Sequence, residues 1–178
     1  MSYEQIQDQT FSLLDKISQL LDRIVPQVIA ALVLVALYLL EALHGPTITP
    51  LLELQQNEWY KQITGFLLMA YVLYQLRLAI LRMSHKKINN TLETNRHIWF
   101  GVFTPLALFI HSSQLGYGYQ ALLAGMFLFN VLIGLCSPKF LKIRHKSYIV
   151  VWLVIHSGIA VIVPVLLMYH LYVIYFYD

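Results

Sequence analysis

Residues 149–177, IVVWLVIHSGIAVIVPVLLMYHLYVIYFY, carry no charged side chain and hold two histidines, His156 and His170. A bilayer core of roughly 30 Å is crossed by about 20 apolar residues in a helix. This stretch is long enough to cross and too long for a barrel strand, and only a helix satisfies its own backbone in lipid. Four earlier segments have the same character: 26–43, 60–83, 96–113 and 119–136. They are bounded by the turn- and charge-rich links HGPTITP, SHKKINNT, SSQLGYG and CSPKFLKIRHK. The sequence therefore predicts an all-α integral membrane bundle of five transmembrane helices.

Composition agrees. Of 178 residues, 58% are hydrophobic and 12% charged, with mean hydropathy +0.63. Soluble domains carry about a quarter charged residues, so too few charges remain to coat a water-facing surface. An ordinary soluble enzyme, a disordered chain and a nucleic-acid binder are excluded. The single cysteine, Cys136, excludes a disulfide framework, and no C-x-x-C-H motif attaches haem covalently.

The polar, partly acidic start MSYEQIQDQT does not read as a cleavable signal peptide. Over residues 4–25, Ile6, Leu13, Leu14, Ile17, Leu20, Leu21 and Ile24 recur at helical spacing, while Asp8, Asp15 and Asp22 share another face. The expectation is an N-terminal amphipathic helix over 1–25, lying on the membrane or extending the first span into water. The membrane bundle proper occupies 26–178.

Basic residues set the topology. Lys16, Arg23, Arg82, Lys86, Lys87, Arg96, Lys139, Lys142, Arg144 and Lys146 fall on one side, and Lys61 alone on the other. The basic side is expected to be cytoplasmic, with the N-terminus inside and the C-terminus outside, in a bacterial inner membrane. Arg77 lies within the second span, and either snorkels to the inner interface or pairs with a buried anion.

Of seven histidines, four form a pattern. The segments HIWFGVFTPLALFIH (97–111) and HSGIAVIVPVLLMYH (156–170) both read H-x7-P-x5-H. Fourteen residues of helix rise about 21 Å and bring both histidines to nearly the same face. Spans three and five are separated by one span and run parallel, so His97 is expected at the depth of His156, and His111 at the depth of His170. Four ionisable side chains inside spans are costly and call for a function.

A bis-histidine pair is the axial ligand set of a b-type haem, which otherwise wants an apolar slot. The candidate metal ligands are His97, His111, His156 and His170. Trp99, Phe100, Phe103, Phe109, Phe127, Phe129, Trp152 and Tyr169 flank them, and Gly101, Gly125 and Gly158 offer close backbone approach. Arg96, Lys142, Arg144 and Lys146 are candidate propionate partners inside, with Ser112, Ser113, Gln114, Tyr117 and Tyr119 outside. Pro105 and Pro164 weaken their helices between the ligands and can bend them around the haems. Of the other histidines, His44 ends the first span, while His85 and His145 face water or headgroups, or else bind a quinone. Glu41 is a candidate for proton transfer, and Cys136 a small apolar residue.

With two histidines fourteen apart on the third span and two more on the fifth, the chain resembles the ferric-reductase-like transmembrane domain. That domain is the membrane part of NADPH oxidases and ferric reductases. The likeness covers roughly residues 60–178 and rests on the four ligands, helix order and topology. It implies two stacked haem b groups, an inner one on His97 and His156 and an outer one on His111 and His170. It departs from the family where a cytoplasmic flavin and nicotinamide domain would follow: the chain ends at Asp178 and has no Gly-rich nucleotide loop. Electrons are then expected to arrive from, and leave to, other molecules.

The leading functional expectation is an electron-transfer subunit of a larger membrane complex, working between a redox partner protein and a quinone or second redox protein. A second is a quinone-reactive membrane anchor of a respiratory oxidoreductase, with Arg77, His85 or His145 near the quinone. A third is a histidine-lined zinc or proton transporter without haem, which should place acidic partners beside the histidines. Residues 96–178 hold no Glu, and no Asp before the terminal Asp178. A purely structural subunit leaves the matched spacing unexplained.

Overall fold

The computed structural model of the protein describes residues 26–45, 47–84 and 90–177. Among them there are only helices and their connections: α1 Pro26–His44, α2 Thr49–Gln56, α3 Glu58–Met83, α4 Asn90–His111, α5 Tyr119–Leu135, α6 Pro138–Leu141 and α7 Lys146–Phe176. The amphipathic segment expected over 4–25, with Lys16 and Arg23, lies outside the described residues, as do His85, Lys86 and Lys87.

The helix ends follow local chemistry. Pro26 opens α1, where a missing N–H costs nothing. Asn57 caps α3, its side chain accepting from the Tyr60 N–H at 3.2 Å. The link after α1 turns at Gly45, φ +89°. Glu41 organises it by accepting from Thr47 N and Thr47 Oγ1, both at 2.6 Å. Its carboxylate thus holds a turn, which is a structural use for the residue considered above for proton transfer.

Side-chain contacts fix how the helices run. Tyr38 of α1 meets Phe109 of α4, and Tyr60 of α3 donates to the Ile110 carbonyl of α4. Arg77 near the other end of α3 meets Glu93 near the start of α4. Tyr119 at the start of α5 meets Tyr169 near the end of α7, and Trp152 of α7 donates to Ile133 of α5. So α1, α4 and α7 run one way, and α3 and α5 run the other.

Two small cores hold the bundle. Tyr38, Leu108, Ala124 and Leu128 form one, and Val72, Ile159 and Val163 the other, with Phe127 packed against both. The outward faces are as apolar as the cores: Val154, Val161 and Val165 of α7 are 64%, 65% and 64% exposed. Apolar faces of this extent are the kind that lipid covers. Among the described residues, four helices are long and apolar enough to cross a bilayer: α1, α3, α7 and the stretch from Tyr119 through α6. The protein is a multi-pass integral membrane protein.

The structure revises the predicted elements in two places. The third segment, expected over 96–113, begins earlier, so α4 takes in Thr91, Glu93, Thr94 and Asn95. These residues, with its two histidines, make α4 less apolar than the other long helices, and it is not among the four. The link between α1 and α3 is not simply a turn. It contains α2, whose Gln55 is 7% exposed.

Candidate functional site

The four spaced histidines are set apart by burial. His97, His111, His156 and His170 are all half-buried, whereas His44 and His145 are exposed. The two exposed ones have local roles: His44 Nδ1 bonds the Leu40 carbonyl one turn back, and His145 stands at the N-cap of α7.

At the basic end, His97 of α4 and His156 of α7 face one another, ring centroids 6.1 Å apart and planes at 86°. The two helices reach this meeting without packing tightly together. Instead α4 packs chiefly on α1 and α3, and α7 on α5. Trp152, one turn before His156, stacks on its ring at 5.3 Å and 11°, and is itself fixed by an Nε1–H bond to Ile133 O at 2.8 Å. Gly134 of α5 leaves room at the other side: a Cβ there would lie 3.6 Å from His156 Cε1.

At the opposite end, His111 and His170 are near enough for their charges to interact, but their rings are not in face or edge contact. His111 Nδ1 lies 3.1 Å from Thr64 Oγ1. Tyr119 lies 5.9 Å, centroid to centroid, from His170. The Nδ1 atoms of His156 and His170 are buried and make no hydrogen bond.

Two imidazoles that share a metal ion, at metal–nitrogen bonds of about 2 Å, hold their centroids about 6 Å apart. The His97–His156 separation meets that requirement, and coordination along a common axis leaves the ring planes free to turn. A haem iron takes four further ligands from the porphyrin and needs only two from protein. Zinc wants about four protein ligands in a structural site. No group of three or more His, Cys, Asp or Glu able to hold a metal ion occurs among the described residues.

The other candidates fall differently. Arg96, beside His97, is tied to Glu93 at 3.0 Å and lines a small polar cleft with Tyr74, Gln75, Arg77 and His97. Lys142, Arg144 and Lys146 are exposed at the basic end. Lys146 is ten residues before His156 on α7, about 15 Å along the axis, so it is not brought to the ring pair. Trp99 is 36% exposed and stacks on Phe103 at 6.0 Å, away from the histidines. Tyr169 lies 5.1 Å from Tyr119 and is half exposed. Of the three glycines, Gly101 faces Gln75, while Gly125 and Gly158 have open space where a Cβ would stand.

Several residues escape a reading by hydropathy. Glu93 lies one turn before His97 and ion-pairs with both Arg77 (3.3 Å) and Arg96 (3.0 Å). The absence of carboxylates from the third span, argued above against a transporter, therefore does not hold for α4. An i, i+4 spacing between Glu93 and His97 was the available signal. Gln55 donates to the Phe109 carbonyl at 2.7 Å and accepts from Ser113 N at 3.1 Å and Ser113 Oγ at 2.7 Å. It thereby closes the exposed end of α4 next to His111. Asn130 stands beside His156, with its Oδ1 buried and without a hydrogen bond. The Phe100 carbonyl of α4 accepts from Thr104 Oγ1 and from the Tyr71 hydroxyl of α3.

Comparison with family models, with curated proteins and with solved structures finds no match to this chain.

Proposed function

We propose that the protein is a membrane-embedded b-type cytochrome subunit that carries electrons across the bilayer. His97 and His156 would hold an inner haem b, and His111 and His170 an outer one. The observation that carries this reading is the meeting of His97 and His156 at 6.1 Å, from two helices that otherwise pack on other neighbours. When bound, haem supplies one-electron transfer at each level. The chain supplies neutral imidazoles, apolar walls and a fixed vertical separation. Trp152 holds the His156 ring in orientation, and the lipid-facing helices exclude water from the electron path.

In this reading α4 crosses with the four apolar helices, giving five spans. The basic links lie in the cytoplasm, the N-terminus inside and the C-terminus outside, in a bacterial inner membrane. The redox partner protein docks on one face, and a quinone or second redox protein exchanges electrons on the other. A histidine-lined transporter gains one acidic group from Glu93, yet that carboxylate is already held by two arginines.

The full chain, purified in detergent, tests the proposal through reduced-minus-oxidised spectra and pyridine haemochromogen quantification. Two b haems per chain are expected. A colourless protein overturns it.

A further inference from the structure

We propose that Thr64 is a positioning residue for His111: its hydroxyl accepts the Nδ1 proton and leaves Nε2 as the bare nitrogen that faces a metal. The inference deepens the haem reading above and rests on it for the identity of the metal.

The argument begins with the hydroxyl's single proton. Thr64 Oγ1 lies 2.7 Å from the Tyr60 carbonyl one turn back, which is the usual acceptor for a helical threonine, and 3.3 Å from the Lys61 carbonyl. With the proton committed to Tyr60, the oxygen meets His111 Nδ1 at 3.1 Å as an acceptor. The ring must then be the donor, so Nδ1 carries the hydrogen. In a neutral imidazole the other nitrogen is left with a free lone pair.

The same turn of α3 also fixes where the ring lies. A Cβ at Gly65 would sit 3.2 Å from His111 Cε1 and 3.7 Å from Nδ1, so a side chain there would push the ring by a few tenths of an ångström. The turn is in turn anchored to the ligand's own helix, because the Tyr60 hydroxyl donates to the Ile110 carbonyl at 2.8 Å. Thr64 and Gly65 thus set both the tautomer and the location of His111. His156 and His170 have no hydrogen bond at Nδ1. A hydrogen bond from Nδ1 makes Nε2 more basic, which strengthens its bond to the metal and favours the oxidised state.

Three variants of the full chain test this. Thr64→Val keeps the shape and removes the acceptor. It is expected to raise the midpoint potential of one haem, leave the other unmoved, and speed haem loss from that one site about 10-fold. Thr64→Ser restores the acceptor and should restore both. Gly65→Ala should lower occupancy of the same haem while retaining the hydroxyl. Thr64→Val with two wild-type potentials and unchanged retention overturns the inference and leaves the haem reading standing. Nitrogen NMR of His111 in the haem-free chain gives a separate readout. A hydrogen on Nδ1 that moves or exchanges in Thr64→Val supports the role of Thr64 even if the wild type binds no haem. A hydrogen on Nε2 in the wild type refutes it.

Discussion

Arg77 of α3 and Glu93 of α4 are joined at 3.3 Å, with the arginine side chain 43% exposed and the carboxylate 12%. The pair resolves the choice posed for Arg77, which has an anionic partner rather than only a path to the interface. Glu93 also neutralises part of Arg96 next to His97. Glu93→Leu leaves two arginines without their shared counter-charge and is expected to destabilise the chain by about 1–2 kcal/mol, less than a fully buried pair because Arg77 is partly solvated. Thermal unfolding in detergent measures this. Adding Arg77→Leu should recover part of the loss, and a strictly additive double-mutant cycle would show that the pair contributes nothing.

The pairing of rings predicts which variants share a phenotype. His97→Ala and His156→Ala should each remove the same spectral component, and His111→Ala and His170→Ala the other. Reduced-minus-oxidised spectra of the four single variants check this. If His111→Ala retains both haems, the outer assignment fails.

Trp152 contacts His156 in two separable ways, a stacked ring and a framework fixed by its Nε1–H bond to Ile133. An aromatic contact of this kind contributes about 0.5–1.5 kcal/mol. Trp152→Phe keeps the stack and loses the hydrogen bond, whereas Trp152→Leu loses both. The spectral shift of the inner haem is expected to be larger for leucine. Equal effects would mean that the hydrogen bond alone positions the ring.

Gln55 is the clearest case of a residue that composition hides. Its side chain is buried and serves the end of α4 through both its donor and its acceptor. Gln55→Leu strands the Ser113 groups and a backbone carbonyl, at about 2–3 kcal/mol. The thermal melt in detergent should fall accordingly, and a melt equal to wild type would place those groups in contact with water instead.

The histidine spacing was readable because it depends only on helical rise and on the alternation of helix direction. Both survive any detail of packing, so His97 and His156 could be expected at one depth before any coordinates. The polar supports were not readable in the same way. Hydropathy places the start of the third segment at the first sustained apolar run, near Arg96, but α4 keeps its backbone bonds back to Asn90, where no lipid is required. That difference hid Glu93. The turn-rich HGPTITP masked α2, since Thr49 and Pro50 are equally good at ending a link and at opening a helix. Lys142, Arg144 and Lys146 were picked out by charge alone, and Lys146 stands about 15 Å along α7 from His156.

The membrane crossing of α4 can be argued and tested directly. This helix is long enough, at 22 residues, but too polar to rank with the four apolar ones. Its polar groups are met by neighbours: Glu93 by Arg77, the Phe100 carbonyl by Tyr71, the Phe109 and Ile110 carbonyls by Gln55 and Tyr60, and His111 by Thr64. A segment supported in this way is expected to cross with its partners although its own composition favours crossing less. Thr91 and Tyr117, both exposed, bracket it. In a Cys136→Ser background, Tyr117→Cys should react with a membrane-impermeant maleimide in intact cells, and Thr91→Cys only after permeabilisation. Labelling of both from the outside would leave α4 on one face of the bilayer, with His97 and His111 no longer at two depths.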